Sequence, residues 1–368
     1  MNIINIQDKN LFYIGGVVRD ELLNKESFDI DITYVGDAIK FAQNLDNAEI
    51  IQINEAFGTV RINFEGKEID IASTRNETYP EKGHLPVVSD IGCSLKNDVL
   101  RRDFTINALA KSTLSGEIID YVGGIEDLKN KKLKILHDNS FIDDPTRIVR
   151  GLKFSVRFGF ELDEHTKNLQ EDYLNNINYD MSYKRLKKEL KETFNLNSQV
   201  AFEKFVEQKI YKLIAPQNFE LSQTNLEELI NKYSPKNIWI IYAGLFEGVE
   251  KLPLTKTEKN IVENFKNFKE NIQKFEKNDF EIYKAFKTSN LESIIMLATI
   301  NPEIITKYLD NLAKINLKIT GEDLRKLGIK PSPKYQQCFD FVLEKKLKSP
   351  SINKNEELLL AKQFFNIK

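Results

Sequence analysis

From Gly58 to Phe64 apolar and polar residues alternate with a period of two. Val60, Ile62 and Phe64 fall on one side, and Thr59, Arg61 and Asn63 on the other. This pattern predicts a half-buried strand. Glu65-Gly66 then marks a turn, and Lys67 to Ala72 predicts the second strand of a hairpin, with Asp70 pointing away from Ile69 and Ile71. Upstream, Phe12-Tyr13-Ile14 predicts a strand and Val17 to Leu23 a helix, after which a short strand carries Asp29 and Asp31. Residues two apart on a strand share a face. Phe28, Ile30 and Ile32 therefore pack inward while both carboxylates project from the other side. A helix from about Asp37 to Asp46 follows, with Asp37 as its N-cap.

Arg75 to Leu100 contains Pro80, Gly83, Pro86 and Gly92 and predicts a long, turn-rich connection. Arg101 to Ala110 then leads into a strand from Glu117 to Tyr121, followed by Gly123-Gly124. From Ile125 onward strand signals nearly vanish. Asp144-Pro145 predicts a helix start, an N-cap with proline at the first helical position, and Gly159 predicts its end. Helical patterns continue to the C-terminus, broken near Pro216, Ser234-Pro235, Pro253 and Pro302. The expected fold class is α+β: a small mixed sheet with helices over residues 1–125, then an all-helical remainder.

Composition narrows the class without identifying it. The chain has 368 residues, 41% hydrophobic and 29% charged, as in ordinary globular proteins. No apolar run reaches membrane-spanning length, and the N-terminus lacks the basic and apolar segments of a signal peptide. The two cysteines, Cys93 and Cys338, fit a reducing cytoplasm, and His84, His137 and His165 have no metal-ligand spacing. Net charge is −2, yet Lys184, Arg185, Lys187, Lys188 and Lys191 crowd one helical stretch. Lys129, Lys131, Lys132 and Lys134 crowd another. Such runs are usually solvated faces and are also compatible with contact to a phosphate backbone.

The candidate chemistry begins at Asp29 and Asp31. Two carboxylates held close repel one another unless a cation lies between them, and hard oxygen ligands suit Mg²⁺. Gly15-Gly16, just before a helix, offers bare backbone N–H groups where phosphate oxygens bind well. Metal-binding carboxylates beside a phosphate cradle point to phosphoryl or nucleotidyl transfer.

Three motifs then occur in order: Gly15-Gly16-Val17-Val18-Arg19-Asp20 with Asp29-Ile30-Asp31; Arg101-Arg102-Asp103-Phe104-Thr105-Ile106-Asn107-Ala108; and Asp144-Pro145-Thr146-Arg147-Ile148-Val149-Arg150. Together they resemble the class II tRNA nucleotidyltransferases, the group containing the CCA-adding enzymes and the bacterial poly(A) polymerases. The resemblance covers about the first 190 residues; later, Ile319-Thr320-Gly321-Glu322-Asp323-Leu324 is similar to a segment near the C-terminus of some members. It implies a catalytic head over 1–125, a neck over 126–200, a helical body over 201–290 and a tRNA-binding tail over 291–368.

The resemblance also implies roles. Asp29 and Asp31 would hold Mg²⁺ while an RNA 3′-hydroxyl attacks the α-phosphate of CTP or ATP, and Asp70 is the third acidic position. Gly15, Gly16 and Arg19 would contact the triphosphate. Arg102, Asp103 and Asn107 belong to the motif that holds the sugar, where an aspartate accepting from the 2′-hydroxyl favours ribonucleotides. Asp144, Arg147 and Arg150 would act as a protein template for the incoming base. Asp143 stands where the family usually has glutamate, and Lys153 where arginine is common. Asp120, Gly123-Gly124 and Asp127 match a connecting motif implied to be a hinge. Arg185 and Glu189 match the last motif, either as an ion pair within one helix or as an RNA contact.

The implied activity is addition of CCA to tRNA 3′ ends in the cytoplasm, with the acceptor and T arm as the bound partner. CC-only or A-only addition and poly(A) synthesis stay open at this stage. In the family a shortened loop after the hairpin accompanies addition of C alone; here Arg75 to Leu100 is full length, with Arg75, Glu77 and Tyr79 at its entrance. A silent RNA-binding protein would lack reason to keep the carboxylates. A small-molecule nucleotidyltransferase would not need the long helical region.

Overall fold

The alternating N-terminal segments build one seven-stranded sheet, seen in a computed structural model that describes residues 4–27, 30–196, 198–219, 224–272 and 278–367. Phe28 and Asp29 lie outside the described residues. Chain order is β1 (Leu11–Ile14), α1 (Gly16–Leu22), β2 (Asp31–Tyr34), α2 (Ala38–Gln43), β3 (Ala48–Asn54), β4 (Thr59–Phe64) and β5 (Lys67–Ser73). It continues with β6 (Arg75–Thr78), β7 (Val87–Ile91), α3 (Leu95–Leu100), β8 (Leu109–Ser112), β9 (Ile118–Asp120) and α4 (Gly124–Lys129). The sheet order is β3-β4-β5-β2-β1-β8-β9, and β6 and β7 pair with each other.

Alternation fixes which side of this sheet is core. Ile32, Val60, Ile62, Ile69 and Ile71 are buried against Val17 and Val18 of α1 and Ala38 of α2. Each such side chain contributes about 1.5–3 kcal/mol on burial, so a one-residue slip of register would be strongly disfavoured. Strands β2 and β5 run parallel with Asp31 opposite Asp70, whereas β4 and β5 form the predicted antiparallel hairpin with Arg61 opposite Asp70. Asp37 caps α2 as expected, accepting from the N–H groups of Ile39 and Lys40 at 3.1 Å each.

Three departures from the sequence reading stand out. Strand β3 was not expected: it lies at the sheet edge with Ile50, Ile51 and Ile53 all exposed, so burial imposes no alternation on it. The connection from Arg75 to Leu100 is not a bare loop but a hairpin, β6–β7, followed by α3. The motif after Arg101 enters strand β8 before reaching β9.

Beyond α4 come β10 (Lys132–Leu133), α5 (Ser140–Asp143), α6 (Thr146–Phe158), β11 (Glu161–Leu162), α7 (Glu164–Asn175), α8 (Tyr183–Phe194) and α9 (Ser198–Glu207). The short parallel pair β10–β11 is the exception to an otherwise helical segment. Helix α6 starts after Asp144-Pro145 and ends at Gly159, whose φ of +72° satisfies a left-handed C-cap.

The chain divides into two compact units, residues 1–216 and 217–368. The second unit is helical among its described residues, with helices such as Lys256–Lys269, Lys334–Lys348 and Lys354–Phe364. The sequence breaks fall where expected: Ser234 takes a left-handed C-cap, and Pro302 opens a helix capped by Asn301. Buried Lys346 pairs with Glu357, whose other oxygen accepts from the N–H groups of Lys318 and Ile319.

Candidate active site

The turn between β1 and α1 exists because Gly15 adopts φ +72°, where a side chain is strained. A Cβ there would also lie 3.3 Å from Arg102 Nη1 and 3.5 Å from the Asn107 carbonyl oxygen. Glycine thus lets the turn approach the Arg102–Asn107 segment, and the Gly15 N–H donates to the Leu109 carbonyl at 3.0 Å. Gly16 follows as the first residue of α1, beside Arg19 Nη2.

Arg19 is buried, at 4% exposure, and points into the protein. Its Nε and Nη2 donate to Asp20 Oδ1 at 2.8 and 2.6 Å, and Nη1 donates to Asn107 Oδ1 at 2.5 Å. Its guanidinium lies 4.7 Å from the Phe158 ring centre and 5.3 Å from that of Phe154, both on α6. The structure therefore buries Arg19 beside the glycine turn, where it orients Asn107.

Asn107 passes that orientation on. Its Nδ2 donates to Asp103 Oδ1 at 3.0 Å, while Arg150 reaches Asp103 Oδ2 from α6 through Nε at 2.8 Å and Nη2 at 2.6 Å. Burial alone would raise the Asp103 pKa, but the Arg150 guanidinium and the Asn107 amide outweigh it and hold the carboxyl well below its usual range. The Asp103 charge in turn pushes the Arg150 pKa up. Arg102 donates to buried Asp98 at 3.1 Å, and its Nε is buried without a hydrogen-bond partner.

The residues that the resemblance implies as a base-reading row also lie together. Asp144 Oδ1 accepts from the Thr146 N–H at 3.1 Å and its hydroxyl at 2.6 Å, tying the carboxylate to the first turn of α6. Its Oδ2 accepts from Arg185 Nη2 of α8 at 2.5 Å. One turn on, Arg147 is buried: Nη1 donates to Ser140 Oγ at 2.7 Å, and Nη2 to Arg101 O at 2.9 Å and Tyr79 Oη at 3.2 Å. His137 Nε2 stands 3.4 Å from Arg147 Nη1, and burial together with that guanidinium lowers its pKa. Arg185 and Glu189 do not pair with each other. Glu189 instead takes Lys153 at 2.6 Å and Arg150 at 3.4 Å.

These groups surround a cavity of about 300 Å³. Asp103, Asp144, Arg147 and Arg150 line it, joined by Arg185 and Glu189 of α8. Tyr79, Leu85 and Pro86 from the hairpin tip complete one wall, and Phe57, Arg75, Glu77 and Arg101 another. Besides the Arg147–Tyr79 bond, backbone fastens the tip: the Gly83 N–H donates to Asp143 O at 3.2 Å and its carbonyl accepts from Ser182 N–H at 2.9 Å. Phe57 and Leu85 escaped the sequence reading, and Arg101 and Pro86 were named there without a role of their own. The one usable signal was the Asp98–Arg101 spacing of three on α3, which forms a 2.7 Å ion pair.

Asp31 and Asp70 are not among the residues lining this cavity. They lie on the exposed face of the sheet as paired positions of neighbouring parallel strands, so about 4.8 Å separates their backbones. Two carboxylates side by side supply hard oxygen donors, which suit a divalent cation. Both Asp70 oxygens are also gripped by Arg61, at 2.8 Å each, a partner the sequence reading did not assign. Asp29 lies outside the described residues. Among the described residues, no group of three or more His, Cys, Asp or Glu side chains could hold a metal ion. None of their helices is long and apolar enough to cross a membrane.

The connecting motif is a tight clamp. Asp120 accepts from the backbone N–H groups of Val122, Gly123, Gly124 and Ile125 at 2.9–3.0 Å, which fixes the start of α4. A Cβ on Gly124 would stand 2.3 Å from the Thr105 carbonyl, so the close approach requires glycine.

Comparison with known proteins bears on family and fold. A family profile described as the poly A polymerase head domain matches residues 11–134. The A-adding tRNA nucleotidyltransferase of Halalkalibacterium halodurans is 30% identical over 98% of this chain and 90% of that protein. That of Aquifex aeolicus is 32% identical over 87% of this chain, which spans 43% of that longer protein. The CCA-adding enzyme of Lactobacillus helveticus is 27% identical over 87% of this chain and 84% of its own length. Among solved structures, the Thermotoga maritima CCA-adding enzyme complexed with tRNA shares the fold at a TM-score of 0.77, with 24% identity over 96% of this chain and 91% of that one. With a relative this similar over nearly its whole length, the chain belongs to the tRNA nucleotidyltransferase family.

Proposed function

We propose that this nucleotidyltransferase adds the terminal A to the 3′ end of a tRNA from ATP, selecting the base with protein side chains in the α6 cavity. The observation that carries the proposal is the convergence of Asp103, Asp144, Arg147 and Arg150 on one cavity closed by the hairpin tip. Relatives named A-adding match at or near full chain length, which favours terminal A over other products. Addition of the whole CCA is the second reading, favoured by the CCA-adding relative of L. helveticus, which also matches over most of its length.

In this reading the RNA 3′-oxygen attacks the α-phosphorus of ATP. A new P–O bond forms, the bond to the β-phosphate oxygen breaks, and pyrophosphate leaves. Asp29 and Asp31 would hold Mg²⁺, which would supply activation of the hydroxyl and neutralisation of the triphosphate. Asp70, oriented by Arg61, accepts the hydroxyl proton. Asp103 accepts from the ribose hydroxyl, and the Gly15-Gly16 turn cradles phosphate oxygens. Asp144 and Arg147 present an acceptor and donors to the base edge. The helices after residue 125 act as neck, body and tail that grip the acceptor and T arm, and the reaction takes place in the cytoplasm.

The test uses transcripts lacking CCA, ending in CC, or complete, with CTP and ATP singly and together. A single A added to the CC-ending tRNA, and none to the complete one, is the expected result. Addition of CC followed by A to the shortest transcript would establish the second reading, and continued A addition would make the protein a poly(A) polymerase.

A further inference from the structure

Helix α8 has three faces with three different jobs. Leu186, Leu190, Thr193 and Phe194 are buried. Arg185, Glu189 and Glu192 turn toward α6, where they pair with Asp144, Arg150 and Lys153. Lys184, Lys188 and Lys191 occupy the remaining face and are exposed. At 3.6 residues per turn these three fall within an arc of roughly 60° and span about 10.5 Å along the axis. Among the described residues none of them has an ion-pair partner within 4.0 Å, because the acids of α8 are drawn to α6. The result is a stripe of three lysines outside any ion pair among the described residues, with Glu192 near enough to Lys188 to feel its charge, on a protein whose net charge is −2.

The stripe begins beside Arg185, which lines the nucleotide cavity. Arg185 and the stripe share α8, so an RNA that reaches a nucleotide held in that cavity by running along α8 would meet these ammonium groups. We propose that Lys184, Lys188 and Lys191 form a rail that binds the phosphodiester backbone near the 3′ end of the substrate tRNA. The inference rests on the tRNA reading above and deepens it. Ammonium groups on flexible stems neutralise phosphates without reading sequence, which suits an enzyme that must accept every tRNA.

The test is the salt dependence of binding to a tRNA ending in CC, followed by fluorescence anisotropy over a range of KCl. Three lost phosphate contacts should lower the slope of log K against log salt by about 2–3 and weaken binding most at low salt. The variant carries Lys184→Ala, Lys188→Ala and Lys191→Ala, changes that favour helix and preserve the fold. A charge-matched control carries Lys9→Ala, Lys40→Ala and Lys67→Ala, all exposed and on other elements. ATP affinity, measured without RNA, should be the same in all three proteins. A slope equal to that of the control would overturn the rail and leave the tRNA reading standing. A wild-type protein that binds no tRNA would remove both.

Discussion

Arg185 of α8 and Asp144 at the start of α6 meet at 2.5 Å, so the carboxylate assigned to the base edge is held by a helix 41 residues further along the chain. Its other oxygen is fixed by Thr146. If Asp144 reads the base as proposed, base choice would depend on how α8 seats against α6 as much as on the reading residues themselves. Arg185→Gln should cost about 1.5–3 kcal/mol of stability, the worth of a hydrogen bond between charged groups. It should also relax nucleotide choice while A incorporation persists. Denaturant unfolding and a four-nucleotide competition assay measure the two effects.

Asp103 is held ionised against its burial by Arg150 and Asn107. A folded pKa below the unfolded value of 3.8 means that the stabilisation is complete above about pH 4 and is lost as pH falls toward the folded value. Asp103→Asn should remove this contribution, so that the acid limb of its stability curve is shallower than that of wild type. The same variant should discriminate less between ATP and 2′-deoxy-ATP. Urea unfolding from pH 3 to pH 7 and the ratio of kcat/KM values report these outcomes.

His137 shows the opposite charge logic. Burial and the Arg147 guanidinium depress its pKa below 6.5, so the fold prefers the neutral ring. Stability conferred by that preference is present above the unfolded value and falls as pH drops below about 6.5, where the unfolded chain takes up the proton first. Charging His137 would also repel Arg147. His137→Gln should therefore flatten the loss of stability and of A incorporation between pH 6.5 and 5.5, measured on the same CC-ending tRNA.

The hairpin tip depends on Gly83, with φ +76° and a prospective Cβ only 3.0 Å from the Asp180 carbonyl and 3.1 Å from Met181 Cβ. Gly83→Val should detach the tip from its two backbone hydrogen bonds and remove a wall of the cavity. Faster proteolytic cleavage within 79–92 and a raised KM for ATP are expected, with little change in overall secondary structure by circular dichroism.

What the sequence revealed tracks local causes. The hairpin of β4 and β5, the Asp37 cap and the span of α6 were legible because alternation, an N-cap and a terminal glycine act over a few residues. Strand β3 carried no such sign, since an exposed edge has no buried face to impose a period. Arg19 was read as a triphosphate contact; its bond to Asn107, 88 residues away, could not be read from the sequence. Arg61 and Asp70 were each read as pointing away from the apolar residues of their own strand, but only strand register showed that they meet. Arg185 and Glu189 sit at pairing distance along one helix, and tertiary packing gave each a stronger partner on α6.

The most direct test of the account is nucleotide choice on a CC-ending tRNA by wild type and by Arg147→Ala, with all four ribonucleotides present. A bidentate contact to a base is worth about 1–3 kcal/mol of discrimination, so selectivity for A should fall by roughly 5- to 150-fold in the variant. Incorporation that drops while the preference for A stays at the wild-type level would contradict selection by the α6 cavity.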